Sequence, residues 1–283
     1  MPYGENIPAA QYNGTLVRLA TSRPASGIQA PASNPVRGGN ASAMRRLGLI
    51  AGIHTEATVR YLRQFDEQAS DRFGRAPSPF RVFVNSVDGR AFESAMKVRD
   101  AAEAHRICVE AAQQCAAAGA EALLLGSSQL HVGADAIRNS VGLPLLDLVD
   151  ATLTVAANSG VRRLALLGVR FPKEDEIWQK RCAKLGLIAA TPAADAATRV
   201  NAIVNEELSR GFVDGASKAE LVRLCADFRR EGARAVVLAA PELRLALGAG
   251  DSALPVLDAT EAHVAAAIHW VTSGNCNSRG QSI

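Results

Sequence analysis

Apolar residues along the chain gather in short runs that stop at glycine or at a polar pair. The first, "RRLGLIAG" (residues 45–52), is continuous and closes on a glycine, the form of a parallel strand buried on both faces. A helical period follows from Thr55 to about Arg72. "FRVFVNSVDG" reads as a second strand that ends at Asn85, Ser86 and Asp88. Residues 95–118 read as one long Ala-rich helix. "AEALLLGSS" is a third strand that stops at Ser127 and Ser128. "ADAIRNSV" is a short helix, and "LPLLDLVDAT" a short strand leading into a helix.

The order then recurs. "RRLALLGVR" matches "RRLGLIAGI", "REGARAVVLAAPEL" matches "AAAGAEALLLGSSQL", and "ALPVLDATEAH" matches "GLPLLDLVDAT", at nearly constant spacing. The chain carries an internal duplication. Strands alternate with helices in each half, so the expected fold class is α/β: two pseudo-symmetric parallel-sheet α/β domains with the ligand cleft between them. Ligands of such folds sit beyond the carboxyl ends of strands. The positions to compare are therefore Ala51 and Gly52 with Gly168 and Val169, and Ser127 with Ala240. The expected division is a flexible arm over 1–43, domains over 44–152 and 153–258, a helix over 259–272 packing back on the first domain, and a flexible tail over 273–283. The arm is rich in Pro, Gly, Ser, Asn and Ala, and Glu5 is its single acid.

Composition narrows the function class. The 283 residues suffice for two modest domains, and 48% hydrophobic content is ordinary for a globular protein. A net charge of +3 with no basic block gives no reason to expect nucleic acid as a partner. No run suggests a membrane span, and no apolar signal core stands near the start. The cysteines, Cys108, Cys115, Cys182, Cys225 and Cys276, are odd in number and lack metal-ligand spacing. Unpaired thiols without an export signal lead to the expectation of a cytoplasmic protein with no metal.

Several stretches together resemble the aspartate/glutamate/hydantoin racemases, especially the aspartate racemase-like branch: "GLIAG" followed by "EAT", "NSVD", "GAEALLLGSSQLHVGADAI", "LPLLDLVDAT", "LALLGVRF", and "GARAVVLAAPEL" followed by "LPVLDATEAH". The resemblance covers about residues 46–272. It implies cofactor-independent chemistry, a small-molecule carboxylate or carbonyl substrate, and a homodimer. It also implies two facing cysteines, one per half, that take and return an α-proton. This chain departs there. Ser127 stands at the first cysteine position and Ala240 at the second. Pro241 replaces a carboxylate-binding threonine and removes a backbone donor. The first strand-end loop reads Ala51-Gly52-Ile53-His54, and a second-half loop reads Gly168-Val169-Arg170-Phe171-Pro172, followed by Lys173.

The candidate catalytic residues are His54, Ser127, Glu242 and Lys173. His54 has an imidazole suited to taking or giving a proton near neutrality; the competing role is a helix cap beside Thr55. An unassisted serine hydroxyl is too weakly acidic to remove an α-proton, so Ser127 would bind, relay or cap. Glu242 could exchange protons or organise its loop. Lys173, Arg170 and Arg90 could pair with a substrate carboxylate or lie exposed. Gly52, Asn85, Ser86, Ser128, Gln129, His131 and Ala240 complete the substrate-binding candidates, with His131 expected to hold the loop after Ser127. The reading is a divergent racemase-family enzyme that transfers protons without the two-cysteine mechanism. The alternatives are a catalytically inactive metabolite-binding homologue and an amino-acid racemase with an atypical base.

Overall fold

The computed structural model describes residues 44–74, 78–168, 172–248 and 250–273. The proposed arm over 1–43 and all but the first residue of the proposed tail lie outside the described residues. The first half contains β1 (Leu47–Ala51), α1 (Thr55–Phe73), β2 (Val82–Ser86), α2 (Gly89–Lys97), α3 (Ala101–Ala117), β3 (Ala122–Leu125), α4 (Ala134–Ser140), β4 (Leu145–Leu146) and α5 (Leu148–Asn158). The second contains β5 (Arg163–Leu167), α6 (Pro172–Lys184), β6 (Ile188–Ala190), α7 (Ala194–Glu206), α8 (Gly215–Arg230), β7 (Ala235–Leu238), β8 (Val256–Asp258) and α9 (Ala259–Ser273).

Each half forms one four-stranded sheet, ordered β2-β1-β3-β4 and β6-β5-β7-β8, with every pairing parallel. The strand order repeats strand for strand, as the duplication requires. β1 is central and buried throughout, paired with β2 and β3, so its carboxyl end opens between theirs.

The helix expected over 95–118 is interrupted. α2 stops at Lys97 and α3 starts at Ala101, because Arg99 adopts a left-handed φ of 59° and Asp100 caps the new helix by accepting a hydrogen bond from the Glu103 N–H. Asp88 performs the same service for α2, accepting from the Ala91 N–H. It lies two residues beyond the end of β2 and starts the helix.

Three apolar layers result. α2, α3 and α4 supply the outer core of the first half through Phe92, Ile107, Cys108 and Ile137. α7 and α8 supply that of the second through Val200, Ile203, Leu221 and Phe228. The middle layer joins both sheets and takes Tyr61 and Phe65 from α1, Leu153 from α5, Trp178 from α6 and Ile268 from α9. Packing here is crosswise: α1 of the first half lies against α9 of the second, and α6 of the second against α5 of the first.

Charge follows the same crossing. Asp147 caps α5 by accepting from the Val149 and Asp150 N–H groups, and Asp258 caps α9 by accepting from Thr260 and Glu261. Both side chains are buried. Arg60 of α1 reaches Asp258 with Nη2–Oδ2 at 3.0 Å, and Arg181 of α6 reaches Asp147 with Nη1–Oδ1 at 2.5 Å. Each terminal aspartate is thus bridged by an arginine from the other half. Buried carboxylates need such partners. The arrangement fixes how the two sets of strand ends face each other.

Candidate functional site

The chain leaves β1 through Gly52, whose φ is 104°. A Cβ there would lie 2.6 Å from Ser86 Oγ and from the Val87 carbonyl oxygen, so this exit requires glycine for both space and conformation. The turn delivers His54 to the position just before α1. Its backbone is extended, and its carbonyl accepts from the Thr58 N–H and hydroxyl. The imidazole does not cap the helix. It is free to point elsewhere.

It points to the second half. β7 ends at Leu238, and the 3-10 turn Pro241–Leu245 follows, with Pro241 at its first position, where no N–H is needed. This turn packs against α1. Glu242 lies within it, its side chain 3% exposed, and Glu242 Oε1 stands 2.7 Å from His54 Nδ1. A carboxylate oxygen accepts, so Nδ1–H donates and Nε2 is left as the group that can take or give a proton. Among the described residues, Nε2 also faces Glu93 Oε1 of α2, 3.9 Å away. The hydrogen bond to Glu242 raises the His54 pKa above its ordinary value, burial opposes this, and the charges of Glu242 and Glu93 add to the rise. The imidazole side chain is 14% exposed and therefore reachable.

The exit from β3 is a second polar turn. β1 and β3 are neighbours, and the Gly126 N–H donates to the Ile50 carbonyl, so the two exits lie side by side. Ser127 is buried and caps the 3-10 turn Ser128–Gly133 by accepting from the Gln129 N–H at 3.3 Å. Ser128 and Gln129 are also buried. His131 Nδ1 lies 3.2 Å from the Ser127 carbonyl; a carbonyl only accepts, so Nδ1 carries the hydrogen. Burial pushes the His131 pKa down and favours the neutral ring. His131 holds the turn that places Ser127.

Other candidates are distributed differently. Asn85 donates to Gln114 of α3, 2.6 Å away, which commits its amide to the outer helix layer. Ser86 sits against the Gly52 turn. Arg90 is exposed on the first turn of α2. Ala240 packs in the outer apolar core of the second half and presents a methyl group where the resemblance implies a thiol. Lys173 lies in the first turn of α6, its side chain outside the described residues, as is Arg170. His263 is wholly buried: its Nε2–H donates to the Leu146 carbonyl at 2.9 Å and its Nδ1 accepts from the Tyr61 hydroxyl at 2.8 Å. Burial pushes its pKa down to about 4, so it stays neutral and structural.

Sequence reasoning missed Glu93. It and Lys97 stand four apart on α2 and form an ion pair, a pattern that reads as a solvated face. The described cysteines sit on helices: Cys108 and Cys115 on α3, Cys182 on α6, and Cys225 on α8. All four are buried, and burial raises every thiol, Cys108 to about 12 and Cys182 to about 11. Cys276 lies outside the described residues. Among the described residues, no cluster of His, Cys, Asp or Glu is arranged to hold a metal ion, and no helix is long and apolar enough to cross a membrane.

The family model for Asp/Glu/hydantoin racemase matches residues 50–267. A solved structure from Yersinia pestis, assigned to the Asp/Glu racemases, is 30% identical, covering 81% of this chain and 99% of its own, with a TM-score of 0.72. An aspartate racemase homologue from Pyrococcus horikoshii is 26% identical over 81% of this chain and 100% of its own, with a TM-score of 0.70. The aspartate racemase of Picrophilus torridus, 16% identical over 80% of this chain and 94% of its own, shares the fold with a TM-score of 0.65. The match spans both sheets and every strand exit described above, and the chain belongs to the Asp/Glu/hydantoin racemase family.

Proposed function

We propose that this protein catalyses cofactor-independent proton transfer on a small carboxylate or carbonyl compound, with His54 as the acid/base group and Glu242 as the carboxylate that orients it. The observation that carries the reading is the 2.7 Å contact between His54 Nδ1 and Glu242 Oε1, made across the two halves. In the neutral ring, the Nε2 lone pair takes a proton from the carbon beside the substrate carbonyl. The C–H electrons pass into the carbonyl to give an enolate, and the imidazolium, balanced by Glu242, returns the proton. Ser127, beside the β1 exit, serves as a binding or relay hydroxyl, and Lys173 supplies positive charge from the α6 start.

One histidine with no opposing thiol among the described residues suits proton transfer at a single face: an isomerisation, in which the proton is returned, an elimination, in which the enolate expels a leaving group, or a decarboxylation, in which loss of CO₂ forms the enolate and the imidazolium protonates it. Two-sided racemisation suits it less. The buried thiols accord with this mechanism and with the reducing cytoplasm proposed as the compartment. A homodimer belongs to the same reading. A second reading, a metabolite-binding homologue without turnover, draws on Ala240 and Pro241, which put inert groups at the β7 exit.

The test is proton NMR in D₂O with amino acids, hydantoins, and keto, hydroxy and malonyl acids. Loss of an α-proton or appearance of a product supports the enzyme and names its substrate class. Saturation-transfer contacts without exchange support the binding protein.

A further inference from the structure

We propose that Glu93 is a charge-selecting residue: it turns the site toward a substrate whose group beside His54 Nε2 is uncharged or cationic, and away from a carboxylate there. The inference deepens the reading of His54 as the proton-transfer group and rests on it.

The argument is geometric. His54 is held between two carboxylates on opposite ring nitrogens. Glu242 lies 2.7 Å from Nδ1 with its side chain 3% exposed; Glu93 lies 3.9 Å from Nε2 with its side chain 41% exposed. The first contact is a hydrogen bond that orients the ring. The second is too long for one, so Nε2 and the Glu93 carboxylate are each open to a group placed beside them. Among the described side chains in contact with the ring, one positive imidazolium stands between two carboxylates, so these three groups sum to a negative charge even with His54 protonated. Lys97 Nζ offsets Glu93 only in part, since it is 3.6 Å from the far carboxylate oxygen, Oε2, and three-quarters exposed to water. A carboxylate arriving at Nε2 meets Glu93 at close range. An amide, a ring N–H or an ammonium group can instead donate to Glu93 while the adjacent carbon faces Nε2.

Malonate and its neutral isostere malonamide serve as probes, each titrated at constant ionic strength while the His54 ring signals are followed by NMR. His54→Asn identifies those signals. The expected result is that malonamide shifts the ring signals of the wild type at lower concentration than malonate. In Glu93→Gln, malonate affinity rises about tenfold and malonamide affinity holds, as expected for removing one nearby charge. Glu93→Ala, which also suits a helix, repeats the measurement should the glutamine variant fold poorly. Wild type already preferring malonate, malonate affinity unmoved by either substitution, or ring signals that respond to neither probe would each overturn the proposal. The readout is binding at His54, so it stands apart from the acid/base reading, which fails instead if His54→Asn retains turnover.

Discussion

His54 Nδ1 and Glu242 Oε1 stand 2.7 Å apart, although 188 residues separate them along the chain. One leaves a strand of the first sheet and the other a turn after a strand of the second, so the contact exists only when both halves are folded and docked. It converts a histidine on an exposed-looking loop into a ring oriented by a buried carboxylate.

Glu242→Gln removes the charge and keeps the shape. The His54 pKa, raised chiefly by that hydrogen bond, should fall toward its ordinary 6.5, read from the ring signals across a pH series. Proton transfer should fall about 10- to 100-fold, the usual cost of losing a carboxylate that orients a histidine. The pair also links stability to pH. Because the folded-state pKa is raised, its contribution is full below the unfolded value near 6.5 and is lost as pH climbs through the folded value. Glu242→Gln should flatten that alkaline decline in melting temperature.

Asp147 gives the opposite sign. Burial would raise its carboxyl, but the His131 ring, once protonated at low pH, the Arg181 charge and hydrogen bond, and the Asp150 N–H hold it well below the usual carboxylate range. Its stabilisation is full above the unfolded value near 3.8 and is lost as pH falls through the folded value. Asp147→Ala removes a cap and leaves Arg181 with only the exposed Asp150 as partner, and should cost about 2–3 kcal/mol in urea unfolding at neutral pH. Asp258→Ala, which removes the α9 cap and leaves Arg60 with only the exposed Glu67 at 3.7 Å, should cost a similar amount.

Gly52→Ala should lower stability by about 1–3 kcal/mol. It should also broaden or shift the His54 signals, because the new methyl must push against the Ser86 hydroxyl and the Val87 backbone. Unchanged His54 signals would separate the turn from the placement of the ring.

Much of this architecture was legible along the chain. The runs at Leu47–Ala51 and Ala122–Leu125 are apolar throughout because both strands are central and covered on two faces. The repeat of "LPLLDLVDAT" as "LPVLDATEAH" announced the two halves. The break at Arg99 was hidden, since no glycine or proline marks it; Asp100 followed by Glu103 was the available signal. His54 and Glu242 were each visible as candidates. Their partnership was not, because it is set by how two sheets dock. Glu93 was obscured by its helical partner Lys97, and the pairing of Arg60 with Asp258 by the crosswise packing of α1 on α9.

The cysteines yield a fourth prediction. Iodoacetamide applied to the folded protein at neutral pH should leave Cys108, Cys115, Cys182 and Cys225 unmodified in peptide mass spectrometry, since all four thiols are buried and raised. Proton transfer by the treated protein should match that of the untreated protein.

The most direct test of the account is the rate of α-proton exchange in D₂O for the best compound of the panel, measured on wild type and on His54→Asn with matched melting temperatures. The account predicts a fall of about 100-fold or more in the variant. Exchange at the wild-type rate in His54→Asn would contradict it and move the chemistry to another group.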